Sequence, residues 1–356
     1  MLALAAFAGV AVVAVTIVTS LGGGTLTSTS ASTSTTGTPS ASSSASSTTR
    51  AKPRKPRPKP VYRGPYAVGT QQQTLVEPPA AAGTSARTLP TTITYPMVPG
   101  GHAGAARWAP AKPFPLIVFS QGFATDVSQY NGLLATWTKA GYVVAAPAYP
   151  YTSLSGPLNE QDIVNHPGDL SYVIAMLVKE AQDPHNSLHR LVNTNEIAVA
   201  GQSDGGDVSL AVAANTCCID HAVKAAVILS GAELGSFGGT YFSGGSVPLL
   251  VTQGDQDTIN FPSCSATLYN QAPGPKYFVN LLEQEATSAS AVKEHLGPYT
   301  EPGATRSYVS ASSIAFLDSY LKGKRAELSS LLAAGGEQNV ATITSAPSVS
   351  DVGHPC

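Results

Sequence analysis

Charge is scarce in this chain of 356 residues, where only 12% of positions are Asp, Glu, Lys or Arg. Its positive charge is also confined. Seven basic residues (Arg50, Lys52, Arg54, Lys55, Arg57, Lys59, Arg63) precede the first acidic one, Glu77, and the remainder sets 13 basic against 22 acidic residues, a net of −9. An acidic domain of that kind repels a phosphate backbone, so nucleic acid is excluded as a partner. Metal motifs are missing too. The four cysteines, Cys217, Cys218, Cys264 and Cys356, form no C-x-x-C pair and have no histidine at zinc-ligand spacing. No metal or organic cofactor is expected. An even number of cysteines fits one or two disulfides in an exported protein. Cys217 and Cys218 are neighbours, so each is expected to bridge to a distant residue rather than to the other; the pairing itself stays open.

Lysine and arginine are absent ahead of residues 2–18, LALAAFAGVAVVAVTIV, which are apolar apart from Thr16. That length fits a signal peptide or a signal anchor within 1–22. A buried core helix would also have this length, but the following residues argue against it. Residues 25–49 are nearly all Ser, Thr, Ala and Gly, which cannot bury enough apolar surface to fold. KPRKPRPKP, from Lys52 to Pro60, alternates proline with cations and favours a stiff polyproline II spacer. Residues 23–65 therefore read as a disordered stalk and basic linker. The linker suits contact with anionic lipid or cell wall, or is simply a solvated spacer. The product is expected to be secreted or tethered to the outer face of a membrane, with the folded domain at 66–356.

Within that domain, apolar strand patterns alternate with helical ones. TLPTTITYPMV (88–98) reads as an early strand, and FPLIVFSQG (114–122) and YVVAAPAYP (142–150) as strands buried on both faces. Further strands are expected at 196–201, 223–231, 248–255 and 276–282. Helical spacing covers 130–141, 169–182, 207–214 and 307–322. Such alternation builds an α/β fold, a mostly parallel sheet with helices on both faces, whose active groups lie beyond the carboxyl ends of the strands.

One G-x-S-x-G sequence, GQSDG, lies between the strand at 196–201 and the helix after it. A nucleophilic serine needs such a strained strand-to-helix turn, which makes Ser203 the candidate nucleophile. Asp204 and Asp207 then read as carboxylates favoured by the helix dipole, and only the backbone N–H of Asp204 is wanted for catalysis. Serine must also lose its proton to a base, and the base must be oriented by an acid; in this architecture both follow the serine, acid first. Of the two aspartates in PLLVTQGDQDTI, Asp257 lies further into the loop and is the candidate acid, while Asp255 braces the turn. Of the later histidines, His221 precedes the acid and His354 sits almost at the chain end. His295, in KEHLGPYT, lies on the loop before the final helix and is the candidate base. His102, His166, His185 and His189 come too early. The second oxyanion donor is expected from SQGFATD, at the N–H of Phe123.

These pieces resemble the α/β-hydrolase superfamily, in the branch of cutinases, polyester hydrolases, dienelactone-hydrolase-like esterases and platelet-activating-factor acetylhydrolases. The resemblance covers about 88–325 and is carried by LPTTITYP, FPLIVFSQGF, GYVVAAPAYP, GQSDGG, GDQDTI and EHLGPYT. Gln121-Gly122 stands where the family often has His-Gly, and Gln202 where the elbow often has histidine. The resemblance implies a serine ester hydrolase with Ser203, Asp257 and His295 as its triad. Its substrate would be a short-chain ester, a lipid or a polyester. The short glycine-rich segment AELGSFGGTYFSGGSV leaves no room for a large cap domain. An open cleft follows, lined by Tyr241, Phe242 and Trp137 unless those rings simply pack. The alternatives are a cell-envelope acyltransferase with the same triad, or a non-catalytic wall-binding protein. A monomer is expected.

Overall fold

Two strands with polar residues on one face open the fold. β1 (Ala67–Glu77) and β2 (Arg87–Met97) pair antiparallel along their whole length. The next strands are short apolar runs: β3 (Phe114–Ser120) and β4 (Val143–Pro147) are buried at every residue. β5 (Val192–Gln202), β6 (Val223–Leu229), β7 (Leu249–Gly254) and β8 (Lys276–Leu281) complete a parallel centre. The computed structural model describes residues 64–79, 85–97, 112–282, 291–350 and 356. These all fall in one compact unit, Lys59–Cys356. The expected export segment at 1–22, and the stalk and linker apart from their last two residues, lie outside the described residues. Among the described residues, no helix is long and apolar enough to cross a membrane.

The ten strands run in the order β1-β2-β4-β3-β5-β6-β7-β8-β10-β9. Strand residues alternate between two cores, as a pleated sheet requires. Leu116 and Val118 of β3 face the core built with α2 (His166–Gln182), α3 (Asp204–Ala214) and α4 (Pro262–Gln271). Ile117 and Phe119 face the core built with α1 (Asn131–Lys139), α5 (Ala291–Thr300), α6 (Ala304–Leu321) and α7 (Ala326–Ala334). β9 (Gly336–Glu337) and β10 (Ala341–Thr344) extend the sheet antiparallel beyond β8. Between β6 and β7 the only regular element is the short 3-10 turn Gly235–Phe237, so no cap domain is inserted there.

Two expectations need correction. Cys217 and Cys218 are bridged to each other, and Cys264 is bridged to Cys356. The turn after α3 is tied down by Cys218 N–H on Asn215 O at 3.0 Å and Thr216 N–H on Thr240 O at 3.1 Å. Cys264 is taken by the chain end, so the two neighbours are left to each other. Trp137 lines no cleft: it is fully buried in the α1/α6 core, and its Nε1 donates to Ser313 Oγ at 2.8 Å.

Arg87 fastens the antiparallel edge to the parallel body. Its guanidinium reaches Asp169 at 2.6 Å and Asp162 at 2.7 Å, and the Asp169 side chain is fully buried. Burial alone would raise the Asp162 carboxyl, but hydrogen bonds from His166, Arg87 and Asn165 outweigh it and hold the group well below the usual aspartate range. Breaking such a buried pair from one side strands the other charge. Arg87→Met is therefore expected to cost about 3 kcal/mol in urea unfolding at pH 7. A depressed folded pKa gives stability that is present above the unfolded value and lost below it. The gap between wild type and variant should thus narrow as pH falls below 3.8, the ordinary aspartate value.

Candidate active site

β5 runs straight into α3 with Ser203 as the hinge. Its φ of 56° and ψ of −127° lie in a region that a side chain rarely occupies. Ala124, past the end of β3, and Ser230, past the end of β6, also have positive φ, at 52° and 49°. Three strained non-glycine residues at neighbouring strand ends are the pattern expected where backbone geometry serves chemistry. The turn is held from both sides. Ser203 N–H donates to Leu229 O at 2.9 Å, and Ser203 O accepts from Asp207 N–H at 3.0 Å. Close packing makes the turn possible: a Cβ on Gly201 would lie 1.9 Å from Gly205 O.

Asp257 follows β7. Its Oδ1 accepts the backbone N–H groups of Ile259 and Asn260, both at 3.0 Å. Its Oδ2 meets His295 Nδ1 at 2.7 Å, with Gln253 Nε2 at 3.4 Å. Asp257 is 3% exposed and His295 6%, so the pair is shut away from bulk water. A carboxylate already accepting two N–H groups calls for a donor at Nδ1, which leaves Nε2 as the imidazole's acceptor. His295 does not lie on a loop as expected. It sits in α5, a helix that carries Pro298 inside it.

Ser203 follows β5 and Asp257 follows β7, and Asn260 joins them, its N–H on Asp257 and its side-chain amide on Ser203 Oγ, but a hydrogen bond from Ser203 Oγ to His295 is not among those of the described residues. Gln202 occupies that acceptor instead, its Nε2 lying 2.8 Å from His295 Nε2. The Oε1 of Gln202 accepts from Tyr130 OH at 2.7 Å, and Tyr130 OH in turn accepts from Gly122 N–H at 3.4 Å. Gln202 therefore links the histidine to the loop after β3. Ser203 Oγ is met by Asn260 Nδ2 at 3.4 Å, and the same amide donates to Ser230 O. In the sequence Gln202 stands out only as a departure from the family's usual histidine, and Tyr130 and Asn260 do not stand out at all. Each acts across a long sequence separation and has no local pattern to announce it.

The residues expected to supply oxyanion donors, Asp204 and Phe123, flank the turn in sequence and at the neighbouring strand end. Asp204 is the first residue of α3, so its N–H has no partner within the helix. Phe123 follows Gly122, and a Cβ on Gly122 would lie 3.2 Å from Ser203 Cβ, so that loop touches the elbow. The loop is braced from β4's side by Ala124 N–H on Thr152 O at 2.8 Å and by Gln121 Nε2 on Ser153 Oγ at 2.7 Å. Asp255 donates its N–H to Leu281 O at 3.0 Å, as a residue bracing the turn would. Asp207 is buried, and that burial pushes its carboxyl well above the usual range, against the bond it accepts from Ala232 N–H at 2.6 Å. Tyr241 and Phe242 pack against the α2/α3/α4 core. Among the described residues, no cluster of His, Cys, Asp and Glu could hold a metal. No family model and no curated protein matches the chain.

Proposed function

We propose that this chain is a serine ester hydrolase with an α/β-hydrolase fold. The observation that carries the reading is the strained turn at Ser203 beside a buried His295–Asp257 pair bonded at 2.7 Å. Ser203 Oγ attacks the ester carbonyl and its proton passes to His295 Nε2. Apo catalytic hydrogen bonds often tighten only with substrate. Here His295 turns from Gln202 to Ser203 as the substrate carbonyl settles against the N–H groups of Phe123 and Asp204. Collapse of the tetrahedral species expels the alcohol, which takes the proton from His295. Water then adds to the acyl-enzyme by the same route and releases the acid. Asp257 holds the imidazole in the required tautomer and stabilises its charged form throughout. The reaction needs no cofactor. Export, with secretion or tethering by residues 2–18, fits the N-terminal composition and belongs to the same proposal.

A fluorophosphonate probe tests the central step. The expected result is one adduct per chain, mapped to Ser203 by peptide mass spectrometry and blocked by prior denaturation. An unlabelled Ser203 in folded protein would favour the non-catalytic wall-binding reading. With p-nitrophenyl esters as donors, added alcohols separate hydrolysis from acyl transfer: new ester in place of free acid would make the chain a transferase.

A further inference from the structure

Both ends of the Gln202 amide are engaged, and one of its bonds takes what the proposed reaction needs. The residue is fully buried at the end of β5. Its Oε1 accepts from Tyr130 OH at 2.7 Å, and its Nε2 lies 2.8 Å from His295 Nε2. Asp257 already draws the proton of His295 Nδ1, so Nε2 offers a lone pair and the amide must present its N–H end there. Tyr130, itself fully buried, fixes that orientation from the far side by donating to the amide oxygen. The loop after β3 lies close against the same oxygen: a Cβ on Gly122 would come within 2.8 Å of it.

The lone pair held by Gln202 is the one that must receive the Ser203 proton. Ser203 Oγ meanwhile has Asn260 Nδ2 at 3.4 Å. Donor and acceptor of the transfer are thus each engaged elsewhere in the resting protein. An N–H facing Nε2 suits the neutral imidazole and repels the charged one, so this bond is present before the transfer and lost during it. An interaction that is stronger in the ground state than in the transition state lowers the rate. Giving it up also strands an amide N–H in a buried site, which adds to the cost.

We propose that Gln202 is a positioning residue that keeps the acceptor nitrogen of the base occupied in the resting enzyme, with Tyr130 setting which end of the amide does so. This rests on the ester-hydrolase reading above. Nuclear magnetic resonance of protein carrying isotope-labelled histidine, at a pH where the imidazole is neutral, tests the bond without turnover. The His295 Nε2 signal is expected to stay in place in Ser203→Ala and to move downfield when Gln202→Met is added. A signal that moves with Ser203→Ala alone, or that ignores the loss of Gln202, overturns the proposal. The rate of fluorophosphonate labelling tests the consequence. Gln202→Met keeps the length of the side chain and leaves Tyr130 OH with Thr125 Oγ1, 3.4 Å away; it is expected to label about five- to tenfold faster than wild type. Tyr130→Phe frees the amide to turn over and should also label faster. Gln202→Glu keeps the shape but shares a proton with Nε2 in a charge-assisted bond, and should label about tenfold slower. A purely structural role would slow all three variants alike, and that result overturns the proposal. A Gln202-dependent signal in protein whose Ser203 reacts in no variant would support the hold on His295 and sink the hydrolase reading instead.

Discussion

Ser203→Ala is expected to lower kcat for p-nitrophenyl butyrate by about 10⁴-fold or more, with KM little changed, because the lost hydroxyl acts only in the bond-making step. His295→Ala should cost about as much, and the double variant hardly more, since the two side chains serve one proton transfer. Asp257→Asn is the sharper test. Asn keeps an oxygen for the Ile259 and Asn260 N–H groups, so the loop has its anchors. Its amide nitrogen would nevertheless face Nδ1 as a donor, and the imidazole then takes the other tautomer, with a loss of about 10⁴-fold in kcat. Stopped-flow and steady-state assays on folded variants, checked by urea unfolding, decide the matter. Equal rates for wild type and Ser203→Ala would end the hydrolase reading outright.

The parts of the molecule that could be read in advance are those whose burial is uniform. β3, β4 and β7 are buried at every residue, as is the second half of β5 from Ile197 to Gln202, and such strands reveal themselves without help from distant residues. β1 escaped because it is an edge strand: its Gln-Gln-Gln stretch alternates exposed with half-buried positions and leaves little apolar periodicity. β10 is four residues long and owes its place to pairing with β8, a contact no local pattern encodes. α5 was expected as a loop from its place between β8 and the final helix, yet Ala291–Thr300 is helical through Gly297 and Pro298.

The candidate site divides in the same way. Ser203 announces itself by glycine spacing at a strand-to-helix junction, and Asp257 and His295 by chain order. Gln202 does not, because its task depends on Tyr130, 72 residues earlier, and His295, 93 residues later, all meeting at one point. Asn260 is hidden for a similar reason: it reaches across to Ser203 and Ser230 from the loop that carries the acid. Residues that react tend to carry a local signature, whereas residues that hold them in place are fixed only once the sheet has formed.

The second large effect is expected from one methyl group. A Cβ on Gly205 would lie 2.1 Å from Ser120 O, 2.5 Å from Ser120 C and 2.7 Å from Gln121 O, all of them backbone atoms at the end of β3. Nothing there can yield by turning a side chain, so either α3 or the loop after β3 must move. Overpacking of this kind costs about 1–3 kcal/mol in a tight core, and Gly205→Ala is expected near the upper end by urea unfolding. The loss of function should be larger than the loss of stability implies. The two backbones forced apart carry the two candidate oxyanion donors, Asp204 and Phe123, and a shift near 1 Å in catalytic geometry costs about 10²-fold in rate. Gly168→Ala provides the contrast. That glycine lies in α2 with nothing within 4 Å of an added Cβ, so the same methyl should leave activity alone and stabilise the helix by up to about 1 kcal/mol. If Gly205→Ala were as active as Gly168→Ala, close approach of α3 to the end of β3 would not be what holds the oxyanion donors together, and the proposed geometry of attack would have to be abandoned.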